Sequence, residues 1–125
     1  ENNVQNASIV HSEDGMDEIS PFAKTKIVEL SNGNIKSFMI DPASLDIVNK
    51  NKENLKGRNA EYNSQKIINI FKNEDNEFSD SVALNAAAGL IVSCKEKNFK
   101  NAYEFTKQHL KSGKVYEHLL KIQSV

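Results

Sequence analysis

The chain has 125 residues, a formal net charge of -1 and 38% hydrophobic residues, the size and composition of one domain with a modest core. Its charges are mixed and form no basic stripe, which argues against a nucleic-acid partner. No apolar run approaches the roughly 20 residues that span a bilayer, so no membrane partner is expected. The single cysteine, Cys94, cannot form an internal disulfide, which favours a cytoplasmic location.

The amino-terminal residues predict a strand and little else. The opening ENNVQNASIVHS has no initiator methionine and lacks the basic and apolar regions of a signal peptide. Residues 7–10 (ASIV) are long enough for a buried strand and too short for a helix. Because this strand begins so abruptly, we expect the chain to be a piece of a longer protein.

A β-hairpin is predicted next. Residues 24–31 and 35–41 are rich in strand-forming side chains and are separated by Asn32-Gly33-Asn34. Asn-Gly between two such runs is the strongest short-range hairpin signal. Asp41-Pro42 then predicts either a stop or a helix N-cap followed by proline at the first helical position.

The second half of the chain predicts helices. Residues 46–59 read as a polar loop that contributes little to the core, and Ile67, Ile68, Ile70 and Phe71 give the next segment one apolar helical face. Residues 79–97 predict a buried helix, because its middle is apolar all round, with Ser79 and Asp80 as N-terminal caps or dipole partners. Two further helices are indicated by apolar spacing and by the Ser112-Gly113 stop between them.

These elements predict an α/β fold. We expect a partial mixed sheet, with one parallel-type strand plus an antiparallel hairpin, covered by helices. Three strands are few for a helix as apolar as residues 81–93. We therefore expect this sheet to be part of a larger α/β domain.

The stretch HSEDGMDEIS (residues 11–20) is the main candidate for chemistry. Its four carboxylates surround Gly15 and do not follow the ligand spacing of an EF-hand. Three interpretations remain from the residues: a solvated acidic turn, an acid/base pair of carboxylates, or a cation site. Asp17 and Glu18 follow a strand and are consecutive, so they could share Mg²⁺, which prefers one or two carboxylates plus substrate phosphates.

The other candidates favour structural roles. His11 closes the first strand, and His109 and His118 fall on predicted helices without ligands at metal-binding spacing. Cys94 has no base nearby in sequence and is predicted to be an inert core thiol on the buried helix. Neither GxGxxG nor GxxxxGK occurs, so no glycine-rich phosphate loop is present in this sequence.

A chain-long pattern resembles the carboxyl-terminal part of the anthranilate phosphoribosyltransferases. The residues that carry the resemblance are His11, Asp14-Gly15, Asp17-Glu18-Ile19-Ser20, the hairpin, DSVALNAAAGL (residues 80–90, with Asn85 matching the family asparagine) and Ser112-Gly113. The order and spacing of these blocks match over essentially the whole chain. Ser12 and Met16 depart from the usual glycine and leucine and are not expected to disturb the carboxylates. Arg58 and Ser64 replace a glycine and an alanine, and these two departures bear on the local loop geometry.

The resemblance implies a phosphoribosyltransferase, a glycosyltransferase of tryptophan biosynthesis. The full enzyme transfers phosphoribosyl from phosphoribosyl pyrophosphate to anthranilate with Mg²⁺, and its Asp-Glu pair, here Asp17 and Glu18, holds the metal on the pyrophosphate. Asp14 and Gly15 are expected to shape the turn, and Glu13 to lie in solvent. No residue of the chain is assigned to catalysis or to substrate binding.

The resemblance also defines the domain organisation. Residues 1–125 correspond to the distal part of the α/β domain; the amino-terminal helical domain and the glycine-rich pyrophosphate loop lie upstream and are absent from this chain. The full-length protein is expected to be a homodimer through the helical domain, and the isolated chain to be inactive. Two alternatives stay open: a pyrimidine nucleoside phosphorylase relative, and a non-enzymatic α/β remnant that acts as an interaction module.

Overall fold

The computed structural model describes residues 3–48 and 51–124, with strands first and helices second. The strands are β1 (Asn6–Ser12), β2 (Thr25–Ser31) and β3 (Asn34–Ile40). Two 3₁₀ turns follow, Pro42–Leu45 and Lys52–Leu55. The α-helices are α1 (Ala60–Phe71), α2 (Ser79–Val92), α3 (Phe99–Lys111) and α4 (Lys114–Gln123). The predicted α/β class is confirmed.

The three strands form one antiparallel sheet in the order β1-β2-β3. Asn32 and Gly33 both have positive φ, 48° and 81°, as a two-residue type I′ turn requires, so the predicted hairpin is confirmed. The prediction of a parallel-type first strand needs correction, because β1 pairs antiparallel with β2. That pairing depends on the loop between β1 and β2, and a short apolar run does not reveal strand direction.

The core lies between one face of this sheet and helices α2 and α3. Ile27 and Ile40 point inward from the sheet. The helices bury three alanines, Ala83 and Ala87 from α2 and Ala102 from α3, beside larger side chains such as Leu84 and Tyr103. Small side chains allow the two helices to approach closely. The buried part of α2 is therefore its packing face, whereas Ala86 and Gly89 on the same helix are exposed.

Tyr103 and Asp80 form a buried polar contact between α3 and α2. The Tyr103 hydroxyl donates to Asp80 Oδ1 over 2.9 Å. Burial, together with the neighbouring Asp80 carboxylate, raises the pKa of the Tyr103 hydroxyl well above its ordinary value. Asp80 also lies in the first turn of α2, where a negative charge complements the helix dipole, so its predicted role as a dipole partner is confirmed.

The cap predictions have mixed outcomes. Asp41 caps the turn Pro42–Leu45 by accepting from the Ala43 N–H over 3.0 Å, as predicted. The cap predicted for α2 is wrong, because the N-cap residue is Phe78 and no side chain caps this end. Ser79 lies inside the helix, and its Oγ accepts from the Asn76 N–H instead.

Two core predictions also need correction. Ile47 is buried, whereas the sequence predicts that residues 46–59 contribute little to the core. The reason is the left-handed conformation of Asp46, which turns the chain back on itself. The Ile47 N–H then donates to Pro42 O. Residues 49–50 of that predicted loop lie outside the described residues. Cys94 is exposed and lies beyond the end of α2, not on a buried helix.

The end of α2 explains the position of Cys94. The Cys94 N–H donates to Ile91 O and the Lys95 N–H to Leu90 O, which is the bond pattern of a Schellman motif. Cys94 occupies the left-handed position of this motif with φ 57°. Ser112-Gly113 ends α3 as predicted, with Gly113 at φ 77°.

None of the helices in the described part of the chain has the length and hydropathy of a bilayer-spanning segment.

Candidate metal-binding loop

The acidic loop, defined here as residues 13–20, leaves the end of β1 through a tight turn. The Gly15 N–H donates to Ser12 O, and the Ser12 N–H donates to Met16 O, each over 3.0 Å. Gly15 has φ 85°, a conformation that side chains disfavour. The glycine among the four carboxylates is therefore required by the turn itself.

Asp14 holds this turn together from inside. Its Oδ1 accepts from the Met16 N–H at 3.3 Å and its Oδ2 from the Ser20 hydroxyl at 2.9 Å. Lys52, on the second 3₁₀ turn, lies 3.2 Å from Asp14 Oδ2 and donates to the Asp14 carbonyl oxygen over 2.7 Å. Burial opposes ionisation, but the hydrogen bonds to the carboxylate outweigh it and lower the pKa of Asp14. Asp14 shapes the turn, as predicted.

The far end of the loop is fixed to helix α2. Asn85 Oδ1 accepts from the Ile19 N–H over 2.9 Å, and Asn85 Nδ2 donates to Ile19 O over 3.1 Å. The same amide also donates to Ser81 O at 2.9 Å within α2. Ile19 and Ser20 are both fully buried. The loop is therefore attached at one end to the sheet and at the other to the core helix.

Asp17 and Glu18 lie between these two attachments, and both side chains are exposed. Among the described residues, no hydrogen bond or ion pair involves either carboxylate. Nor does the described part of the chain bring three or more His, Cys, Asp or Glu side chains together as a metal site. A cation on this pair would take its remaining ligands from phosphate, water or other parts of the protein.

The other sequence candidates are not part of this loop's chemistry. Glu13 is exposed, as expected, and His11 is exposed at the end of β1. His109 stacks on Phe105 with ring centroids 5.7 Å apart, and His118 is exposed on α4. The surface and packing roles predicted for these two helical histidines are confirmed.

Sequence reasoning misses the structural partners of the loop. Asn85 matches the family pattern, but the pattern predicts no contact for it, because its partner Ile19 is 66 positions away in sequence. Lys52 belongs to a segment that reads as a polar loop, and nothing in its neighbourhood distinguishes it from the other lysines there. A contact between distant segments leaves no local signal.

Three departures from the family pattern are accommodated. The Arg58 N–H donates to Asn63 Oδ1 over 2.9 Å, Asn63 Nδ2 donates back to Arg58 O over 3.3 Å, and the guanidinium lies 4.7 Å from the Tyr62 ring centroid. Arg58 has no positive φ, so a glycine is not required there. Ser12 is fully buried, with its hydroxyl donating to Lys24 O, and the Ser64 hydroxyl donates to Glu61 O.

The sheet, its covering helices and the acidic loop anchored to α2 belong to a chain that matches one known protein family. The model of the glycosyl transferase family, α/β domain, matches residues 2–116. The chain belongs to this family.

Curated relatives give the comparison more detail. The chain is 51% identical over 122 residues to the anthranilate phosphoribosyltransferase of Pelagibacter ubique, a match that covers 98% of this chain and 37% of the relative. It is 38% identical over 119 residues to the enzyme of the same name from Caldanaerobacter subterraneus, covering 95% of this chain and 35% of the relative. The chain thus spans little more than a third of these relatives. The resemblance expected from its motifs is confirmed.

Solved structures agree on the fold. The crystal structure of anthranilate phosphoribosyltransferase from Thermus thermophilus superposes with a TM-score of 0.81 at 27% identity, over 93% of this chain and 34% of that one. The Saccharomyces cerevisiae enzyme, in complex with phosphoribosyl pyrophosphate and Mg, gives a TM-score of 0.74 at 20% identity, over 85% of this chain and 31% of that one.

Proposed function

We propose that residues 1–125 form the distal part of the α/β domain of an anthranilate phosphoribosyltransferase. The full-length enzyme would transfer the phosphoribosyl group of phosphoribosyl pyrophosphate to the amine of anthranilate and release pyrophosphate, a step of tryptophan biosynthesis. The observation that carries this proposal is the 51% identity to the Pelagibacter ubique enzyme, which extends over 98% of the chain.

Asp17 and Glu18 are the proposed ligands of Mg²⁺ in this enzyme. The chemistry of the donors fits: two consecutive carboxylates are exposed and engage no described side chain. Mg²⁺ is usually bound through one or two carboxylates plus substrate phosphates and retains several waters. A hydrogen-bonded turn that carries two exposed carboxylates suits that requirement.

The two carboxylates would act by holding the metal where the leaving pyrophosphate lies. When bound, Mg²⁺ neutralises the negative charge that builds on the pyrophosphate as the bond to ribose breaks. Asp14 contributes by fixing the turn, because its carboxylate is engaged by the Ser20 hydroxyl and by Lys52. Proton transfer and recognition of anthranilate are assigned to no residue of this chain.

The remaining parts of the proposal concern the longer protein. A helical domain and a glycine-rich pyrophosphate loop would lie upstream of residue 1, and the full-length enzyme would be a cytoplasmic homodimer that contacts its partner through the helical domain. The 125-residue chain alone would be inactive, because it would lack the pyrophosphate loop. The fact that it spans 37% of the first relative supports this organisation.

The direct test is a substrate assay of the full-length protein. With Mg²⁺, phosphoribosyl pyrophosphate and anthranilate, the loss of anthranilate fluorescence should be matched by release of pyrophosphate. Phosphorolysis of pyrimidine nucleosides with no consumption of anthranilate would overturn the proposal in favour of a nucleoside phosphorylase. Absence of both activities in a folded protein would favour an interaction module.

A further inference from the structure

The side chain of Asn85 joins the acidic loop to the core helix α2 by hydrogen bonds. It lies on α2 and engages both backbone polar groups of Ile19, the residue directly after Glu18. The distances of 2.9 and 3.1 Å resemble those of a pair of strand hydrogen bonds, so the amide holds the peptide of Ile19 in both position and orientation.

The amide is itself fixed. Asn85 Nδ2 also donates to the Ser81 carbonyl oxygen one turn earlier in α2, which selects the orientation of the side chain. Ser81 and the neighbouring Leu84 are buried in the core. The core helix therefore holds the Ile19 backbone directly, in addition to the hydrogen bond that ties Ser20 to the turn through Asp14.

We propose that Asn85 is a positioning residue for the Asp17–Glu18 pair, acting through the backbone of Ile19. The inference rests on the proposed role of that pair in binding Mg²⁺. Mg²⁺ demands near-ideal octahedral geometry, so a shift of a few tenths of an ångström in its carboxylates weakens binding. Groups that orient metal ligands without touching the metal typically affect metal affinity or activity by about 10–100-fold.

The test is Asn85→Ala in the full-length enzyme, with steady-state kinetics at several Mg²⁺ concentrations and calorimetric titration of Mg²⁺ in the presence of pyrophosphate, in which the apparent Kd should rise in parallel. The Mg²⁺ concentration for half-maximal rate should rise by about 10-fold or more, while KM for anthranilate changes little. Where the alanine variant does not fold, Asn85→Ser is measured by the same criterion, since its hydroxyl can still donate to the Ser81 carbonyl oxygen.

Tyr103→Phe is the matched control for stability. It removes the buried hydrogen bond that Tyr103 of α3 donates to Asp80 of α2, the helix that carries Asn85, and leaves the Asn85–Ile19 contacts in place. The control should lower thermal stability and leave the Mg²⁺ dependence at the parent value. A folded Asn85 variant that behaves like this control overturns the positioning role.

The metal assignment itself is tested separately in the same series. Asp17→Asn and Glu18→Gln should raise the Mg²⁺ requirement whether or not Asn85 has a positioning role. If these two variants respond like the parent, the metal assignment is wrong. If they respond as expected and the Asn85 variant does not, only the positioning inference is wrong.

Discussion

Lys52 joins the segment after the sheet to the turn that follows β1, through two contacts with Asp14. Its ammonium lies 3.2 Å from the Asp14 carboxylate and 2.7 Å from the Asp14 carbonyl oxygen. The Asp14 carboxylate also accepts from the Ser20 hydroxyl and the Met16 N–H. Asp14 therefore connects Met16 and Ser20 within the loop, and Lys52 adds a contact from a later segment of the chain. These contacts predict that substitutions of Asp14 and Lys52 lower the free energy of unfolding by different amounts.

Removal of Asp14 should cost more stability than removal of Lys52. Asp14→Ala leaves the buried Ser20 hydroxyl without its acceptor and should lower the free energy of unfolding by about 1–3 kcal/mol. Lys52→Met should cost less than about 1 kcal/mol, because its side chain is 48% exposed and the ion pair is screened by water. Urea unfolding of the full-length protein measures both.

Lys56→Met is the control for this pair of variants. Lys56 lies just beyond the same 3₁₀ turn and pairs with Glu53, but both side chains are largely exposed, so no measurable loss is expected. Equal losses from the two lysine variants would contradict the contact between Lys52 and Asp14.

Cys94→Gly should stabilise the protein. Cys94 holds the left-handed position after α2, which costs a residue with a Cβ about 1–2 kcal/mol, whereas glycine adopts it freely. The greater flexibility of glycine in the unfolded chain offsets part of this gain, and the net increase should be about 0.5–1 kcal/mol. Thermal unfolding measures it, with Cys94→Ala as control.

The alanine control keeps a Cβ in the left-handed position and should leave stability nearly unchanged. A stabilisation of the same size in both variants would mean that the thiol, and not the backbone conformation, is responsible. Destabilisation by glycine would contradict the helix end described for α2.

The stability contributed by Glu77 should depend on pH. A hydrogen bond from Lys66, whose ammonium lies 2.9 Å away, and a bond from the backbone lower the pKa of Glu77 below its ordinary value of 4.5. A depressed folded-state pKa gives stability that is present above the ordinary value and lost as pH falls through the folded value. Glu77→Gln should therefore be less stable than the parent at about pH 7, by less than about 1 kcal/mol.

The difference in stability between the parent and Glu77→Gln should become smaller as pH falls below 4.5. Thermal unfolding at a series of pH values follows it, and Glu104→Gln, an exposed carboxylate on α3, serves as control. If the stability difference between the parent and Glu77→Gln stays constant down to strongly acidic pH, the Glu77–Lys66 contact is not its cause.

The fold was predictable where the signal is local. Asn32-Gly33 encodes its turn because both residues tolerate positive φ, and Asp41-Pro42 encodes a cap. The direction of β1 was not predictable, since strand pairing is a long-range property. The exposure of Cys94 was not predictable either, because the left-handed end of α2 is formed by a cysteine, where glycine would have given a recognisable stop.

The candidate site was predictable only as a motif. The pattern of residues 11–20 selects Asp17 and Glu18 from four carboxylates, and the structure adds why Asp14 is different: it is engaged inside the turn. The anchors of the loop, Asn85 and Lys52, come from segments 66 and 38 positions away from their partners. Only a folded chain brings them together.

The role proposed for Asp17 and Glu18 is to bind the magnesium of a phosphoribosyltransferase. The most direct measurement is the Mg²⁺ concentration for half-maximal turnover of the full-length enzyme, compared for Asp17→Asn, Glu18→Gln and Glu13→Gln. Glu13 is an exposed carboxylate of the same loop and controls for the loss of one negative charge. The first two variants should require at least about 10-fold more Mg²⁺ or lose turnover, and Glu13→Gln should match the parent. Parent-like Mg²⁺ dependence in both Asp17→Asn and Glu18→Gln would contradict the claim.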